Sequence, residues 1–466
     1  MLKKLDNLLS EVGDYQVFGK RDLEIKGISE DSRRVKKEFL FVAIKGLTVD
    51  GHDYISRAIE KGAVAVVGER EKEEVPIKGV AYARVKDSRE AVGKIASAFY
   101  GYPSTSLKVI GVTGTDGKTT TAHLIYHILN SAGKKTGLVS TVSAKIGERE
   151  YETGLHVTSP EPILLQKFLS EMVKEGCVYA VIEVTSHGID QKRIEGTKFM
   201  AAALTNISHE HLDYHKTFEA YRDTKLKFLK MAEDFVVLNS LDPSFEYLKE
   251  NLKDKEIVTY GLDKDVSGVL PGEYNELNAS LALGLVEKLG IEKEIAIKAL
   301  HSFKLPAGRL EKVESGKDFD VYIDFAHTPN ALESVLSYLK SKTRGRLIAV
   351  FGCAGERDRE KRPKMAEVAT TLADSSFFTT EDPRSENVND ILKEMEKGAK
   401  NKSYTIIPER GEAILEAIKA GGTGDTIVIC GKGHEKSMAF GNTEYPWSDR
   451  EAIEEALKGK IKKIER

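Results

Sequence analysis

The sequence predicts a three-domain α/β protein built on parallel sheets, and three observations lead to that prediction. The chain has 466 residues, and a globular domain commonly holds ~100–200 residues. From residue 107 onward, short β-like runs alternate with helical patterns, which is typical of parallel sheets with helical crossovers. The breakers Gly101-Tyr102-Pro103-Ser104 and Pro306-Ala307-Gly308 divide the chain. We therefore expect domains over residues 1–103, 104–306 and 307–466.

Hydrophobic patterning places the elements of each unit in order. The first unit is expected to contain strands over 41–44 and 63–67 and a helix over 91–100. The second is expected to contain strands over 108–112, 137–141, 179–184, 201–206 and 235–239, and helices over 119–129, 275–289 and 293–303. The third has β-like runs, each followed by a helical pattern, over 321–325, 347–353, 375–380, 405–407 and 426–430. This alternation of strands and helices in the third unit predicts a smaller, doubly wound, Rossmann-like domain.

Composition excludes several classes of protein. Lys and Arg number 70 and Asp and Glu 73, a net charge of −3, so no overall basic field attracts nucleic acid or an anionic membrane. No apolar run approaches the ~20 residues that span a bilayer, and residues 1–10 are charged and amphipathic, unlike a signal peptide. The three scattered cysteines form neither a disulfide framework nor a CxxC zinc site. We expect a reduced, cytoplasmic, monomeric protein with no nucleic-acid partner and no membrane insertion.

The clearest motif is a glycine loop between a predicted strand and a predicted helix. It reads Gly111-Val112-Thr113-Gly114-Thr115-Asp116-Gly117-Lys118-Thr119-Thr120. Such a loop turns its N–H groups and the helix N-terminus toward phosphate oxygens, its lysine adds positive charge, and the Thr119 hydroxyl can bind Mg²⁺. Val112 stands where the strict GxxxxGK[ST] pattern has its first glycine. The run predicts a nucleoside triphosphate site.

A triphosphate site needs metal ligands at the ends of neighbouring strands. Glu183 ends one predicted strand and His211 follows the next, so both are candidate ligands beside Thr119. The alternative is that Glu183 caps a turn and His211 packs in a loop. Further along the chain, hydrophobic periodicity gives no reason to prefer Lys225 over Lys227 as a functional residue.

Three loops of the third unit also follow strand-like runs, over 352–359, 381–384 and 431–435. Loops at the carboxyl ends of parallel strands converge on one crevice. Arg357 and Arg384 can each bind a carboxylate, and Glu435 can bind an amine. Positively and negatively charged side chains together suit a zwitterion such as an amino acid. The alternative is that these residues form surface ion pairs.

Taken in order, these motifs resemble the Mur ligase family, ATP-dependent enzymes that form amide bonds in cell-wall synthesis. The resemblance covers essentially the whole chain and is greatest to the branch that joins a diamino acid to UDP-N-acetylmuramoyl-L-alanyl-D-glutamate. The matching stretches are 112–121, Asp31-Ser32-Arg33, Phe41-Val42-Ala43, His156-Val157-Thr158-Ser159-Pro160, Glu183-Val184-Thr185-Ser186-His187, Gln191-Lys192-Arg193, 206–215 and Asp324-Phe325-Ala326-His327-Thr328-Pro329.

The resemblance implies a role for each domain. The N-terminal domain would hold the uridine diphosphate near Ser32, Leu47, Thr48 and Val49, and the muramoyl peptide would be contacted by Thr158, Ser159, Thr185, Gln191 and Arg193. ATP would be held by residues 114–120 together with Asn278, Arg309, Asp324 and His327. Two Mg²⁺ ions would be held by Thr119, Glu183, His211 and Lys225. Lys225 matches the family's active-site lysine, which carries CO₂ as a carbamate.

The implied reaction activates the D-glutamyl γ-carboxylate as an acyl phosphate, which the incoming amine then attacks. The amino acid would be bound by Arg357, Glu381, Asp382, Pro383, Arg384, Gly431 and Glu435. Members that add meso-diaminopimelate typically carry Asp-Asn-Pro-Arg, and this chain keeps the arginine in Glu381-Asp382-Pro383-Arg384. We expect meso-diaminopimelate as substrate. L-Lysine is the alternative, because Asp382 adds a negative charge that would favour its free ammonium group.

The chain departs from the family pattern at three other places. Thr185 replaces the usual serine, Glu210 replaces the usual aspartate, and only ten residues separate Gly261 from Gly272, where the family has a longer β-rich segment. A peripheral set of strands is therefore expected to be missing. Folylpolyglutamate synthase and a four-cysteine zinc relative are weaker matches. A non-catalytic nucleotide-binding homologue is the remaining alternative, and the intact Lys118, Glu183, His211 and Lys225 count against it.

Overall fold

The computed structural model describes residues 2–46, 49–77, 79–153, 160–208 and 210–465. In these ranges three large sheets of five, eight and six strands follow one another along the chain, with two further two-stranded sheets. Helices cover the sheets, so the predicted α/β class is confirmed. Among the described residues, no helix is long and apolar enough to cross a membrane.

The first large sheet has the order β2-β7-β6-β5-β4, parallel except for β2. Its helices α1 and α3 pack on one face around buried Leu8 and Ile95. The elements of this unit are β1 Lys3–Lys4, α1 Leu5–Leu9, β2 Tyr15–Phe18, β3 Glu24–Ile25, β4 Gly27–Ser29, β5 Phe39–Val42, α2 Ile55–Glu60, β6 Ala63–Gly68, β7 Ala81–Val85 and α3 Ser88–Tyr100, with 3₁₀ turns over Ser32–Arg34, Gly51–Tyr54, Lys72–Glu74 and Pro103–Thr105.

The central sheet has the order β11-β10-β9-β12-β8-β13-β14-β15. Six neighbouring strands are parallel, namely β9, β12, β8, β13, β14 and β15. Strands β10 and β11 form an antiparallel edge next to β9. Apolar clusters fill both faces. The elements are β8 Lys108–Thr113, α4 Lys118–Ser131, β9 Thr136–Val139, β10 Ala144–Ile146, β11 Arg149–Tyr151, α5 Pro162–Lys174, β12 Tyr179–Glu183, α6 Ser186–Asp190, β13 Phe199–Leu204, α7 Leu212–His215, α8 Phe218–Lys230, β14 Ala232–Asn239, α9 Phe245–Asn251, β15 Glu256–Tyr260, α10 Glu273–Lys288 and α11 Lys293–Ser302.

The third sheet has the order β16-β17-β21-β18-β19-β20, parallel except for β16. Strands that are not consecutive in sequence are neighbours in this sheet, as in a doubly wound fold. In such a fold the ligand crevice lies at the carboxyl ends of the strands. The elements are β16 Glu311–Val313, β17 Asp320–Asp324, α12 Pro329–Lys342, β18 Leu347–Phe351, α13 Lys361–Leu372, β19 Ser375–Phe378, α14 Val388–Glu396, β20 Tyr404–Ile406, α15 Arg410–Ala420, β21 Thr426–Cys430, β22 Ser437–Phe440, β23 Thr443–Pro446 and α16 Asp449–Leu457.

The short segment between Gly261 and Gly272 contains one 3₁₀ turn, Lys264–Val266, and no strand in its fully described length. It connects β15 directly to α10. The Asn275 and Asn278 side chains of α10 are buried.

A buried ion pair holds the third sheet to its C-terminal helix. Arg410 and Asp449 lie 2.7 Å apart, and neither side chain is exposed. The Arg410 guanidinium also donates hydrogen bonds to the carbonyls of Thr380 and Cys430 at 3.2 and 2.8 Å. It therefore joins the carboxyl ends of β19 and β21, where the predicted amino-acid loops begin.

We predict that Asp449→Ala lowers the free energy of unfolding of this unit by about 3–5 kcal/mol, because it leaves a buried guanidinium unpaired. Trp447, the single tryptophan of the chain, donates to Asp449 at 2.9 Å and reports on this unit during urea denaturation. Lys458→Ala, which removes an exposed pair with Glu455, is the control and should leave the midpoint unchanged. An unaltered midpoint for Asp449→Ala would show that the pair is not needed.

Candidate active site

The predicted glycine loop joins β8 to α4 in the interior of the central sheet. Gly117 has φ of 80° and directly precedes Lys118, the first residue of α4. A Cβ placed on Gly114 would lie 1.8 Å from Thr205 Oγ1, and one placed on Gly117 would lie 2.2 Å from Asn278 Oδ1. Both positions therefore require glycine. The loop leads directly into the N-terminus of α4, where N–H groups favour phosphate.

Lys118 lies within the curve of this loop. Its Nζ donates to the Thr115 carbonyl oxygen at 2.6 Å, and burial lowers the pKa of the Lys118 ammonium. Asn206, two residues beyond β13, braces the loop, because its Oδ1 accepts from the Asp116 N–H at 3.0 Å. In such loops the lysine reaches the phosphates of the nucleotide.

Thr119 and Glu183 meet as the sequence predicts. The Thr119 hydroxyl lies 3.0 Å from each carboxylate oxygen of Glu183, and the Thr141 N–H donates to Glu183 at 3.0 Å. Arg309, from the third unit, donates to Thr119 Oγ1 at 3.2 Å. A hydroxyl beside a carboxylate is an oxygen donor set that suits Mg²⁺. Within the described ranges, no three His, Cys, Asp or Glu side chains converge as a metal site.

Lys225 is distinguished from Lys227 by its position on α8. Lys225 is fully buried and Lys227 is exposed. Lys225 Nζ donates to the Gly114 carbonyl oxygen at 2.7 Å and lies 4.4 Å from the centre of the Tyr221 ring. Burial places the pKa of Lys225 well below its ordinary value. The side chain supports the glycine loop from beneath.

His211 occupies a left-handed backbone conformation, with φ of 58°, at the start of α7. Its ring packs edge-on against His187 at 4.9 Å between ring centres. Burial holds the pKa of His211 well below its ordinary value, so the imidazole is neutral, which is the form that binds metal ions. The alternative that His211 only packs in a loop is not favoured, because its ring also lines a cavity with Glu183.

A cavity of about 980 Å³ separates the central unit from the third unit. This volume is within the range of ligand pockets. Most of the predicted ATP-binding residues line it, namely Asp116, Gly117, Thr119, Thr120, Asn278, Arg309, Asp324 and His327. The Asp324 carboxylate accepts hydrogen bonds from the N–H groups of Leu310 and Ala326 at 2.7 and 2.8 Å. Asp324 therefore fixes the backbone that carries Arg309.

A second cavity, of about 430 Å³, brings the other predicted groups together. Its lining includes Thr115, Lys118, Thr119, Glu183 and His211 from the central unit and, from the predicted peptide site, Thr185, Gln191 and Arg193. The amino-acid loops contribute Arg357, Glu381, Asp382, Arg384, Gly431 and Glu435. Pro383 does not line it, and instead its carbonyl faces Gly355. Lys225 and Gly114 line neither cavity.

The amino-acid loops hold two arginines and a buried counter-charge. Arg384 Nη1 donates to the Gly355 carbonyl at 2.5 Å, and burial together with Arg384 lowers the pKa of Arg357. Both carboxylate oxygens of Asp382 accept from the fully buried Lys432, at 2.8 and 2.9 Å. The Asp382 carboxylate is therefore already paired inside the protein, with a lysine that it shares with Glu435.

The predicted uridine and peptide residues are only partly described. Ser32 is buried in a 3₁₀ turn capped by Asp31, and Val49 is 53% exposed. Leu47, Thr48, Thr158 and Ser159 lie outside the described residues. Thr185 caps α6 by accepting from the Gly188 N–H at 3.0 Å, and it lines the second cavity.

Sequence reasoning missed the partners that join the units. Lys361 pairs with Glu210 at 3.3 Å, both buried, and Asn330 donates to Asp116 at 3.1 Å. Glu210 lies inside a motif that the sequence analysis identified, but its partner Lys361 is 151 residues away and leaves no local signal. These contacts show that the third unit completes the site of the central unit.

A glycine loop on a parallel sheet, facing a Rossmann-like sheet across a nucleotide-sized cavity, defines an α/β enzyme that uses a nucleoside triphosphate. Three family models match this chain: the Mur ligase family catalytic domain over 24–100, the Mur ligase middle domain over 112–279, and the Mur ligase glutamate ligase domain over 308–433. The chain belongs to the Mur ligase family of ATP-dependent ligases, and the predicted architecture is confirmed.

Curated relatives match over almost the whole chain. Proteins of Bacillus licheniformis and Halalkalibacterium halodurans are 38% and 39% identical, and the matches cover 98% of this chain and 99% of each relative. Both are named UDP-N-acetylmuramoyl-L-alanyl-D-glutamate–2,6-diaminopimelate ligase. A solved structure with that name is 26% identical with a TM-score of 0.65, covering 98% of this chain and 99% of that one. A Mycobacterium tuberculosis folylpolyglutamate synthase, TM-score 0.61 and 18% identical, covers 74% of this chain and 92% of its own, and shows the fold alone.

Proposed function

We propose that this protein adds meso-diaminopimelate to UDP-N-acetylmuramoyl-L-alanyl-D-glutamate, with ATP converted to ADP and phosphate. One observation carries the proposal: a single cavity of about 430 Å³ collects the glycine-loop lysine, the candidate metal ligands and the loops that bear Arg357 and Arg384. Relatives that bear the corresponding name, at 38–39% identity, support it.

The chain's own residues position and neutralise the reacting groups. Lys118 and the N-terminus of α4 would hold the γ-phosphate while the D-glutamyl γ-carboxylate attacks it. Thr119, Glu183 and His211 would hold Mg²⁺, which when bound offsets the negative charge of the transferred phosphoryl group. Lys225, whose Nζ contacts the Gly114 carbonyl and which lines neither cavity in this structure, would complete the set for two ions as a carbamate formed with CO₂.

Closure of the third unit on the central one would exclude water from the acyl phosphate. Arg309 reaches Thr119 across the cleft, Asn330 reaches Asp116, and Lys361 reaches Glu210. Water exclusion protects the acyl phosphate from hydrolysis and strengthens every charge interaction inside. The residues of the 980 Å³ cavity would hold the rest of the nucleotide.

The third unit would select the amino acid by its distal carboxylate. Arg357 and Arg384 supply planar donors for a carboxylate, and lysine, which lacks that group, would leave them unpaired. The Asp382 carboxylate already pairs with Lys432, which it shares with Glu435, so we propose that Asp382 does not bind the ammonium group of lysine in place of diaminopimelate. We further propose that the N-terminal unit, near Ser32, holds the uridine diphosphate and that the protein acts as a cytoplasmic monomer.

Arg384→Ala is expected to raise the KM for meso-diaminopimelate by about 10–100-fold, because a hydrogen bond to a charged group contributes about 1.5–3 kcal/mol. Steady-state kinetics with varied amino acid measure this. Arg359→Ala, which removes an ion pair of an exposed arginine with Glu394, is the matched control and should leave the KM unchanged. If the KM of Arg384→Ala equals that of the wild-type enzyme, Arg384 does not bind the amino acid.

Phosphate release tests the proposed reaction. The complete mixture contains ATP, Mg²⁺, the UDP-muramoyl dipeptide and meso-diaminopimelate, and parallel mixtures omit one component each. We expect sustained release only in the complete mixture. Absence of release with any diamino acid would refute the ligase and favour a non-catalytic nucleotide-binding protein.

A further inference from the structure

Six carboxyl side chains line the 430 Å³ cavity, and one of them stands apart. The other five each contact a named side chain: Asp116 with Asn330, Glu183 with Thr119, Glu210 with Lys361, and both Asp382 and Glu435 with Lys432. The remaining one is Glu381. Among the described residues, the buried Oε2 atoms of Glu381 and Glu210 both lack a hydrogen-bond partner, but Glu210 pairs with Lys361 through Oε1, whereas Glu381 has no such ion pair. A buried carboxyl oxygen without a partner is costly unless a ligand satisfies it.

Two glycines make room for the Glu381 carboxyl. A Cβ placed on Gly431 would lie 2.0 Å from Glu381 Oε2, and one placed on Gly352 would lie 2.7 Å from Glu381 Cβ. These glycines follow β21 and β18, and Glu381 follows β19, so the carboxyl lies where three strand ends meet. That edge is the usual ligand crevice of a doubly wound sheet. Glu381 therefore forms part of the floor of the amino-acid pocket.

The cations that face Glu381 are already paired. Arg410 belongs to Asp449, Lys361 to Glu210, and Lys432 to Asp382 and Glu435. The other groups that face it are the Asp382 carboxylate and the buried thiols of Cys353 and Cys430. Burial raises the pKa of Glu381 to about 8, although Arg410 and Lys361 oppose the rise. A carboxyl group in this environment exchanges a proton near neutral pH, as a general base must.

We infer that Glu381 is the general base that takes a proton from the ammonium group of the incoming amino acid. This inference rests on the proposed function and names a catalytic role within it. The ammonium nitrogen gives one proton to a Glu381 carboxylate oxygen and becomes a neutral amine. Its lone pair then forms the C–N bond at the acyl-phosphate carbon, the bond from that carbon to the phosphate oxygen breaks, and a second N–H proton leaves with the phosphate.

Glu381→Gln tests the role, because it keeps the shape of the side chain and removes the base. With meso-diaminopimelate we expect kcat to fall by about 100-fold or more, with the KM values for ATP and the UDP-dipeptide unchanged. Hydroxylamine is uncharged at neutral pH and attacks acyl phosphates without help from a base. Hydroxamate formation by Glu381→Gln should therefore equal that of the wild-type enzyme.

Three results would overturn the inference. An unchanged kcat would show that no base is lost, a raised KM for the amino acid alone would show that Glu381 only binds it, and an equal loss with hydroxylamine would show a structural role. If the variant does not fold, the wild-type pH profile decides. The kcat with saturating amino acid should rise with pH through about 8 while hydroxamate formation does not, and parallel profiles would contradict the role. Failure of the wild-type enzyme with every diamino acid would instead refute the proposed function.

Discussion

Lys118→Ala is expected to lower the rate of phosphate release by about a thousandfold or more, because a positive charge fixed on the transferred phosphoryl group contributes that much to phosphoryl transfer. The Lys118 ammonium lies inside the glycine loop with the Thr115 carbonyl as its partner, and no other lysine or arginine of the loop 111–120 can replace it. Phosphate release at saturating substrates measures the loss.

Lys134→Ala is the control for this variant, because Lys134 is exposed beyond the other end of α4. It should keep full activity. Thermal denaturation of both variants should match the wild type, since Lys118 forms no ion pair among the described residues. Activity within a few-fold of wild type for Lys118→Ala would exclude the glycine loop as the site of phosphoryl transfer.

Lys225→Ala is expected to lower kcat by about a hundredfold, because it removes the proposed carbamate ligand and the donor to the Gly114 carbonyl. The substitution opens space beneath the loop, so added acetate or propionate should restore part of the activity by supplying the missing carboxylate. Initial rates with and without each acid measure the rescue.

Lys227→Ala is the matched control, because Lys227 is exposed on the same helix two residues further on. It should be unaffected and should not respond to added acids. Full activity of Lys225→Ala would refute the carbamate. A loss without rescue would mean that Lys225 acts only through its hydrogen bond to the loop.

The sequence predicts the buried part of the fold best. Strand 108–112 and helix 119–129 correspond to β8, Lys108–Thr113, and α4, Lys118–Ser131, because parallel strands buried on both faces read as continuous apolar runs. The edge hairpin of β10 and β11 was not predicted. Its strands have three residues each, and the outer one, Arg149–Tyr151, is polar and exposed, so it has no apolar run to detect.

The candidate site, like the fold, could be predicted from the sequence only in part. Residues that act through a local motif, such as Lys118 with Thr119, can be predicted because loop conformation and chemistry depend on neighbours in sequence. The partner of a buried charge cannot. Asp382 and Lys432 are 50 residues apart, and only the sheet order that places β21 near β19 brings them together. The sequence therefore left the charge of the amino-acid pocket undetermined, and the structure changes the interpretation of Asp382.

The identity of the added amino acid tests the central claim most directly. The enzyme is incubated with ATP, Mg²⁺, UDP-N-acetylmuramoyl-L-alanyl-D-glutamate and equal concentrations of meso-diaminopimelate and L-lysine. The products are then separated, and mass spectrometry identifies and quantifies them. Arg357 and Arg384 in one cavity with Lys118 and Glu183 predict that the diaminopimelate product dominates. A product that contains mainly lysine, or no tripeptide product at all, would contradict the proposed function.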